Sequence, residues 1–345
     1  MKQIGIHHDI LRSRYTVEGS EWTQTIIHPS HFTFPKPVIE NVTTLEEMES
    51  IINDLQQSHS ITEGRLYNWA LIQYNDEQRL FISVHHLAID LVSWRIIAED
   101  LELLLNDKSL PHKTTSFKEW SEQLSEEFGN SSANWKQHET PVFNILQSRS
   151  LPLEPSPTSN SFTVSLPEEF TNQLDMANIS FRTNVQELVL ASLVQSLSSL
   201  QGQNDSIRIH LEGHGREPWN DSLDITRTVG WFTSLFPVVL PVHEIDIKKQ
   251  LKSVKQIIRS IPQNGITYGL QETKEFQNET NIVFNYLGRF QSFEGSKAFF
   301  NEDQIVKRFE VDPNMITEEN AVITAYHENK KLFIRMQYDD NLDVK

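Results

Sequence analysis

The sequence predicts a mixed α/β (α+β) protein with two lobes. The chain has 345 residues, more than one small hydrophobic core usually organises. Both halves contain segments with the alternation of β-strands and segments with the 3.6-residue period of helices. A stretch rich in Ser and Pro, Ser150 to Ser161, separates them. We therefore expect an N-terminal lobe over residues 1–155 and a C-terminal lobe over residues 156–345.

The composition excludes several classes of protein. The chain carries 30 Lys and Arg against 47 Asp and Glu, and a formal charge of −17 disfavours an extended nucleic-acid interface. It has no cysteine, so a thiol nucleophile, a thiolate zinc site and a disulfide framework are excluded. No signal-peptide pattern or membrane-spanning apolar run is present. These features predict a cytoplasmic protein with neither a nucleic-acid nor a membrane partner.

In the N-terminal half the pattern predicts a strand, a histidine turn and a helix. The residues "RLFISV", Arg79 to Val84, are apolar and β-prone, and alternation places His86 on the apolar face of this strand. His85 then points to the opposite face. From Leu91 onward apolar residues recur at helical spacing, and Asp90 occupies the expected N-cap position.

A metal site is the first alternative for this histidine turn. Two histidines and a carboxylate can form a facial triad, but only one of His85 and His86 can easily share an ion with Asp90 when strand alternation separates them. The segment "HLEGHGRE" contains His210 and His214, yet it lacks the helical pairing of an HExxH site. The sequence therefore predicts no metal.

The C-terminal half shows the same mixture of elements. Thr183 followed by Gln186 has the spacing of a helix capping box. The alternating residues "SIRIHLEG" predict a strand that delivers Glu212 to a rim, where Gly213 and Gly215 form a turn. Further elements are predicted for the helix "DIKKQLKSVKQIIRSI" and for the strands "TNIVFNYLG" and "KLFIRMQYDDN".

Four motifs together resemble epimerization domains of nonribosomal peptide synthetases. They are "HHLAIDLVSW" (His85 to Trp94), "LEGHGRE" (Leu211 to Glu217), "TVGWFTSLFPV" (Thr228 to Val238) and "FNYLGRF" (Phe284 to Phe290). Near the start, "HHDILRSRYT" is similar to an early strand of the same family, so the resemblance extends over essentially the whole chain. It implies two chloramphenicol-acetyltransferase-like lobes that form a V with a central tunnel.

Condensation domains of the same superfamily are the main alternative. They share the two-histidine motif (HHxxxD) but usually place a glycine after the aspartate, whereas this chain has Leu91 there, followed by Ser93 and Trp94. The pair Asn285 and Tyr286 also favours the epimerization form. A condensation-type acyltransferase and a non-catalytic, carrier-binding remnant remain the two other hypotheses.

The resemblance implies an isomerase that acts on a tethered substrate during the biosynthesis of secondary metabolites such as peptide antibiotics. The substrate would be an aminoacyl or peptidyl thioester on the 4'-phosphopantetheine arm of a peptidyl carrier domain, inverted from L to D at its α-carbon without a cofactor of the enzyme's own. Its partners would be the carrier, adenylation and condensation domains of the same or a neighbouring synthetase. The weakly acidic α-proton requires a base, a proton donor on the opposite face and donors for the enolate oxygen.

Catalytic roles follow from the motifs by the same resemblance. His86 and Glu212 are the candidates for proton transfer from the two lobes, and which of them removes the proton stays open. A dry site would raise the pKa of such a carboxyl group toward the useful range. Tyr286, with Asn285, belongs to a motif of the family site, and its phenol is expected to donate to the enolate or to orient Glu212.

Other motif residues are expected to be structural. In related domains the motif aspartate pairs with an arginine of the early strand, which predicts a buried ion pair of Asp90 with Arg12 or Arg14. His85 is expected to support the turn and Trp94 to pack in the helix core.

Trp231 and Phe232 are candidates for the tunnel lining, although an aromatic pair is often core. Relatives carry a further strand and helix upstream and a closing helix downstream. The resemblance thus predicts a fragment of a larger synthetase or a gene product truncated at both ends, and the activity of the isolated chain is open.

Overall fold

The computed structural model describes residues 1–129, 135, 159–199, 206–243, 246–270, 282–289 and 321–339. They group into two compact units. Unit 1 takes the described residues of Met1–Glu127 and Pro218–Phe232, and unit 2 takes those of Phe128–Glu217, Thr233–Glu294 and Val311–Lys345. The expected lobe boundary at residue 155 lies outside the described residues. A single boundary at residue 155 does not separate the two units, because Pro218–Phe232 lies after it in the chain and yet belongs to unit 1.

Unit 1 combines a small sheet with helices. Its helices are α1 (Lys2–His7), α2 (Leu45–Gln57), α3 (Leu91–Leu105) and α4 (Phe117–Phe128). Its strands are β1 (Ser13–Glu18), β2 (Glu21–Ile26), β3 (Val38–Val42), β4 (Tyr67–Tyr74) and β5 (Glu77–Val84). Strand β4 lies between β3, with which it is parallel, and β5, with which it is antiparallel, while β1 and β2 form a separate hairpin.

Strand β5 and helix α3 confirm the predicted strand and helix of the N-terminal half. Asp90 is the N-cap of α3, and its side chain accepts a hydrogen bond from the backbone N–H of Ser93. Ile96 and Ile97 are buried in the core of unit 1. Leu91, expected on the same apolar face, is instead 45% exposed.

Arg12 does not make the ion pair predicted for it. It ends a 3₁₀ turn that begins at Asp9, so the two side chains are one turn apart and pair with each other. The Nε of Arg12 donates to the carbonyl of Gly5 at 2.8 Å, and its Nη1 donates to the carbonyl of Ile27. Arg14, the other candidate partner of Asp90, donates to the carbonyl of Thr62. The predicted pair of Asp90 with Arg12 or Arg14 is therefore wrong, because local geometry and backbone carbonyls engage both guanidinium groups.

An ionic network attaches Pro218–Phe232, the segment by which the chain returns to unit 1, to helix α3. We call it the returning segment. Arg227 pairs with Glu99 at 2.7 Å and with Asp100 at 2.5 Å. The second oxygen of Asp100, which is fully buried, lies 2.8 Å from the Nε2 of His8. Burial by itself would raise the pKa of Asp100, but the hydrogen bonds and charges of His8 and Arg227 outweigh it and lower that pKa.

Unit 2 is built on a six-stranded open sheet. Its helices are α5 (Glu168–Phe181), α6 (Val185–Ser199) and α7 (Ile247–Ile258). Its strands are β6 (Ser159–Leu166), β7 (Ser206–Gly213), β8 (Ser234–Pro241), β9 (Ile282–Arg289), β10 (Ala321–Glu328) and β11 (Lys331–Asp339). The strand order is β6-β11-β10-β9-β7-β8, and β9 is parallel to both of its neighbours.

One face of this sheet forms the core of unit 2. Leu211 of β7 and Phe284 of β9 are fully buried there, together with Leu190 of α6 and Val254 of α7. Since side chains alternate along a strand, Glu212 and Asn285 project from the opposite face. The predicted helix around α7 and the strands around β7, β9 and β11 are confirmed.

Two local predictions for unit 2 are wrong. Helix α6 is capped one residue later than expected, because Asn184 and Glu187 exchange the capping-box hydrogen bonds, at 2.8 and 3.0 Å. Glu187 also pairs with Arg259 of the next helix, a tertiary contact that the local pattern does not contain. Ser159 to Ser161, expected in the linker, form the start of β6, while residues 150–158 lie outside the described part of the chain.

Across the described ranges, no helix combines the length and apolar character that crossing a membrane requires.

We predict that Asp100→Asn lowers the free energy of unfolding by about 2–4 kcal/mol at neutral pH, because it removes the charge of the buried carboxylate that contacts both Arg227 and His8. Glu99→Gln is the matched control, since its half-exposed carboxylate contacts the same guanidinium and its loss should cost less than about 1 kcal/mol. Urea denaturation followed by circular dichroism gives both values.

A comparison of wild type with Asp100→Asn also tests how the contribution of Asp100 to stability depends on pH. A carboxyl group whose pKa is lower in the folded protein than in the unfolded chain stabilises the fold at pH values above its pKa in the unfolded chain. That contribution is lost as the pH falls through its pKa in the folded protein. The difference between wild type and Asp100→Asn should therefore shrink below about pH 4. A difference that stays constant from pH 7 to pH 3 would contradict this assignment.

Candidate active site

The histidine turn begins where strand β5 ends. The backbone N–H of His85 still bonds the carbonyl of Leu66 at 2.7 Å, and the chain then turns into the 3₁₀ turn His86–Ala88. The Nδ1 of His85 accepts the backbone N–H of Leu87 at 3.3 Å, so the neutral ring carries its proton on Nε2. Burial, followed by the neighbouring His86, lowers the pKa of His85. His85 thus supports the turn from within.

His86 lies on the exposed side of this turn. The strand ends at Val84, so alternation does not continue to His86, and its predicted place on the apolar strand face is wrong. Its imidazole is exposed, with the ring centroid 4.8 Å from that of Trp231 and the planes tilted by 45°. An exposed imidazole against one aromatic wall can exchange protons with a substrate on its open side.

Helix α3 holds the segment that carries Trp231. The Oγ of Ser93 donates to the carbonyl of Gly230 and accepts its N–H, both at 3.0 Å. The second oxygen of Asp90 accepts the N–H of Phe232 at 3.4 Å. A Cβ at Gly230 would lie 2.4 Å from the ring of Phe117, so only glycine fits this approach without a shift. The motif residues Asp90 and Ser93 therefore position Trp231 beside His86.

The two aromatic residues of this segment have different environments. Trp231 is 39% exposed, which is compatible with a wall of a binding site. Phe232 is 2% exposed and packs edge to face against Phe117 and Trp120, with centroid distances of 5.0 and 4.7 Å. It is therefore a core residue of unit 1 rather than a lining residue. Trp94 packs on the neighbouring apolar core, as expected.

In unit 2 the sheet brings Glu212 and Asn285 together. Leu211 is paired with Phe284 in the parallel ladder of β7 and β9, so the next residues, Glu212 and Asn285, are neighbours on one face. The Nδ2 of Asn285 donates a hydrogen bond to the Oε2 of Glu212. Both side chains are partly buried. The amide of Asn285 therefore holds one oxygen of the Glu212 carboxylate.

Tyr286 is placed on the other face of the sheet. Its ring packs against the core of unit 2, and its hydroxyl lies 3.2 Å from the Nδ1 of His327. The expectation that the Tyr286 phenol orients Glu212 is therefore wrong, because strand alternation directs adjacent residues to opposite faces. Asn285 performs that role. Phe290, the last residue of this motif, lies outside the described residues.

A closely packed turn follows Glu212. A Cβ on Gly213 would lie 2.8 Å from the hydroxyl oxygen of Ser234, and Gly215 has a left-handed φ of 66°. Beyond these glycines, Glu217 contacts His214 at 3.2 Å and accepts a hydrogen bond from the amide of Asn264 at 2.8 Å.

Two groups at these sites were not singled out by the motifs. His210 lies two residues before Glu212 on the same face of β7, and burial, with the nearby charge of Arg208, lowers its pKa to about 4. The alternation of residues along β7 was the feature of the sequence that could have predicted this placement of His210. Gly230 is the second, and its position next to Trp231 within the motif was the only signal for its packing role.

One candidate metal cluster occurs among the described residues. His7, His8 and Asp100 present ligand atoms within 4.8 Å of one another. Both oxygens of Asp100 are already engaged, one by His8 and one by the cationic Arg227, and a neighbouring guanidinium opposes binding of a second cation. The cluster is better explained as the ionic network that attaches the returning segment.

Comparisons with known proteins place the chain in a family. The model of the family described as "Condensation domain" matches residues 1–342. A mycosubtilin synthase polypeptide of Bacillus subtilis is 36% identical over 325 residues, which cover 84% of this chain and 12% of that protein. The chain belongs to the condensation-domain family, and it spans about an eighth of the length of this relative.

Solved structures agree with this placement. The epimerization domain from the third module of tyrocidine synthetase B matches with a TM-score of 0.82 and 27% identity, over 98% of this chain and 82% of that one. The condensation domain from Monacolin K polyketide synthase matches with a TM-score of 0.72 and 16% identity, over 98% of this chain and 82% of that one. The chain thus has the mixed α/β, chloramphenicol-acetyltransferase-like fold of these domains.

We predict that Ser93→Ala destabilises the protein by about 1–3 kcal/mol, because the buried N–H and carbonyl of Gly230 both lose their partner. The intrinsic fluorescence of the protein should also change, as the segment that carries Trp231 loosens. Ser192→Ala, an exposed change within helix α6, should alter stability by less than about 0.5 kcal/mol. Equal stabilities for the two variants would contradict the positioning role of Ser93.

Proposed function

We propose that this domain inverts the α-carbon of an aminoacyl or peptidyl thioester carried by a peptidyl carrier domain of a nonribosomal peptide synthetase. The observation that carries the proposal is the hydrogen bond from Asn285 to Glu212. It joins two motifs of the epimerization type and orients a carboxylate that a condensation reaction does not require. The similarity to the tyrocidine synthetase epimerization domain supports the same reaction.

The proposed chemistry needs no cofactor. One of His86 and Glu212 removes the α-proton, and the electron pair of the broken C–H bond passes into the thioester as an enolate. The other group then delivers a proton to the opposite face of the α-carbon, and solvent restores both groups to their starting forms. Asn285 donates a hydrogen bond to one oxygen of Glu212, which gives the carboxylate a defined orientation for proton transfer.

Peptide-bond formation is the second candidate function. It is favoured by the family match and by the exposed second histidine of the motif, a general base that could also activate an amine. Leu91, in place of the glycine usual after the motif aspartate of condensation domains, argues against it.

One experiment separates these functions. A carrier domain is loaded with an L-aminoacyl group and incubated with the protein in deuterated water. A mixture of D and L product with deuterium at the α-carbon supports inversion. Formation of an amide with a second loaded carrier supports condensation instead. Binding of the carrier without either reaction would indicate a non-catalytic role and would overturn the proposal.

We predict that His86→Ala and Glu212→Gln each reduce inversion by at least about 100-fold, because each removes a proton-transfer group. The exposed position of His86 means that its variant should lose less than about 0.5 kcal/mol of stability. Chirality analysis of the released amino acid, together with thermal unfolding, checks both statements. Full inversion by a folded His86→Ala protein would remove His86 from the mechanism.

The adjacent residues Asn285 and Tyr286 provide a matched comparison. Asn285→Ala should lower the rate of inversion by about 10-fold or more, since Glu212 loses the donor that orients it. Tyr286→Phe keeps the ring in the core and removes the hydroxyl that lies 3.2 Å from the Nδ1 of His327, on the face of the sheet opposite Glu212, so its rate should stay within about threefold of wild type. The reverse ranking would restore a direct role for the phenol.

A further inference from the structure

Helix α7 carries a basic stripe in an otherwise acidic protein. Lys248, Lys252, Lys255 and Arg259 follow one another at spacings of four, three and four residues, which places them on one side of the helix. The buried side of α7, including Leu251 and Val254, packs on the core of unit 2. We call these four residues the basic stripe. The chain as a whole has a formal charge of −17, so this local excess of cations is exceptional within it.

Helix stability accounts for cations at the C-terminal end of α7, where Lys255 and Arg259 lie, but not for those in its first turn. Lys248 and the adjacent Lys249 lie in the first turn of α7, where the helix dipole favours acidic side chains and disfavours cations. Asp246 caps the helix by accepting the backbone N–H groups of both lysines. Within the part of the chain that the structure describes, Lys248 and Lys252 make no ion pair. Cations kept at an unfavourable, unpaired position point to an external anionic partner.

The C-terminal part of the stripe lines a shallow, open groove on the outer side of α7. The groove has a volume of about 500 Å³ and is lined by Lys252, Lys255, Gln256, Arg259 and Ser260. Two of its cations make contacts within unit 2: the Nζ of Lys255 donates to the carbonyl of Phe181 at 2.8 Å, and Arg259 pairs with Glu187. Two of the four residues of the basic stripe therefore have contacts within unit 2.

The groove is connected to the candidate catalytic carboxylate within unit 2. Directly after Ser260 the chain enters a turn that is anchored by the buried Ile261. The side chain of Asn264 in this turn donates to Glu217, and a Cβ on Gly213 would lie 3.3 Å from the carbonyl oxygen of Asn264. Since Gly213 follows Glu212, the groove and Glu212 lie at the same end of unit 2.

We propose that the basic stripe is the docking surface for the acidic face of the carrier domain that delivers the thioester. This inference rests on the proposed function for the identity of the partner. An acidic carrier is repelled by the net field of this chain, so a local cationic surface both overcomes that repulsion and fixes where docking occurs. The negatively charged phosphate that links the pantetheine arm to the carrier adds to the same attraction.

The test uses two double variants of equal charge change. Lys248→Glu with Lys252→Glu reverses two members of the stripe, leaves the structural bonds of Lys255 and Arg259 intact and suits the helix N-terminus better than lysine does. Lys36→Glu with Lys108→Glu reverses two exposed lysines of unit 1 and serves as the control. The probe is a fluorescently labelled, phosphopantetheinylated peptidyl carrier domain of acidic net charge, and binding is followed by anisotropy.

We expect the stripe variant to bind the carrier about tenfold more weakly than the control at low ionic strength, and the difference should narrow at high salt. Equal affinities of the two variants, or no binding by the wild-type chain, would overturn the docking proposal. Binding is measured without catalysis, so this result does not depend on inversion. A soluble aminoacyl pantetheine thioester supplies the second readout, and its isotope exchange should be the same in both variants.

Discussion

The architecture of unit 1 depends on the hydrogen bonds between helix α3 and the segment that returns to it from unit 2. Asp90 caps the helix with one oxygen and bonds Phe232 with the other, while Ser93 satisfies both backbone groups of Gly230. Further along the helix, Asp100 binds Arg227. The contacts of α3 with Arg227, Gly230 and Phe232 join residues more than 120 positions apart in the chain, and they place Trp231 against His86. The motif aspartate is thus a structural residue whose effect on chemistry is indirect.

In unit 2 the alternation of a β-strand decides which motif residues work together. Asn285 and Tyr286 are adjacent in sequence, yet one side chain bonds Glu212 and the other contacts His327. Each residue is satisfied by a partner on its own face of the sheet. A carboxylate held by an amide donor has a fixed orientation, which suits proton transfer better than a side chain without such a contact.

Much of the secondary structure was predictable from the sequence because its signals are local. The alternation in β5 and β7, the helical period after Asp90 and the apolar face of α7 depend on residues within a few positions of each other. Where a signal competed with a tertiary contact, the prediction shifted or was wrong. Helix α6 is capped by Asn184, whose capping-box partner Glu187 also pairs with Arg259, and Arg12 binds Asp9 and backbone carbonyls.

The sequence by itself determined the mixed α/β class, the N-cap at Asp90 and the motifs that resemble epimerization domains. Only the tertiary structure decided that Pro218–Phe232 belongs with unit 1, that Asn285 rather than Tyr286 bonds Glu212, and that Phe232 is core while Trp231 is exposed. The physical reason is the range of the interactions. Helix period, strand alternation and capping act over a few residues, whereas the partner of a buried polar group is chosen by whichever donor or acceptor the folded chain brings within hydrogen-bond distance.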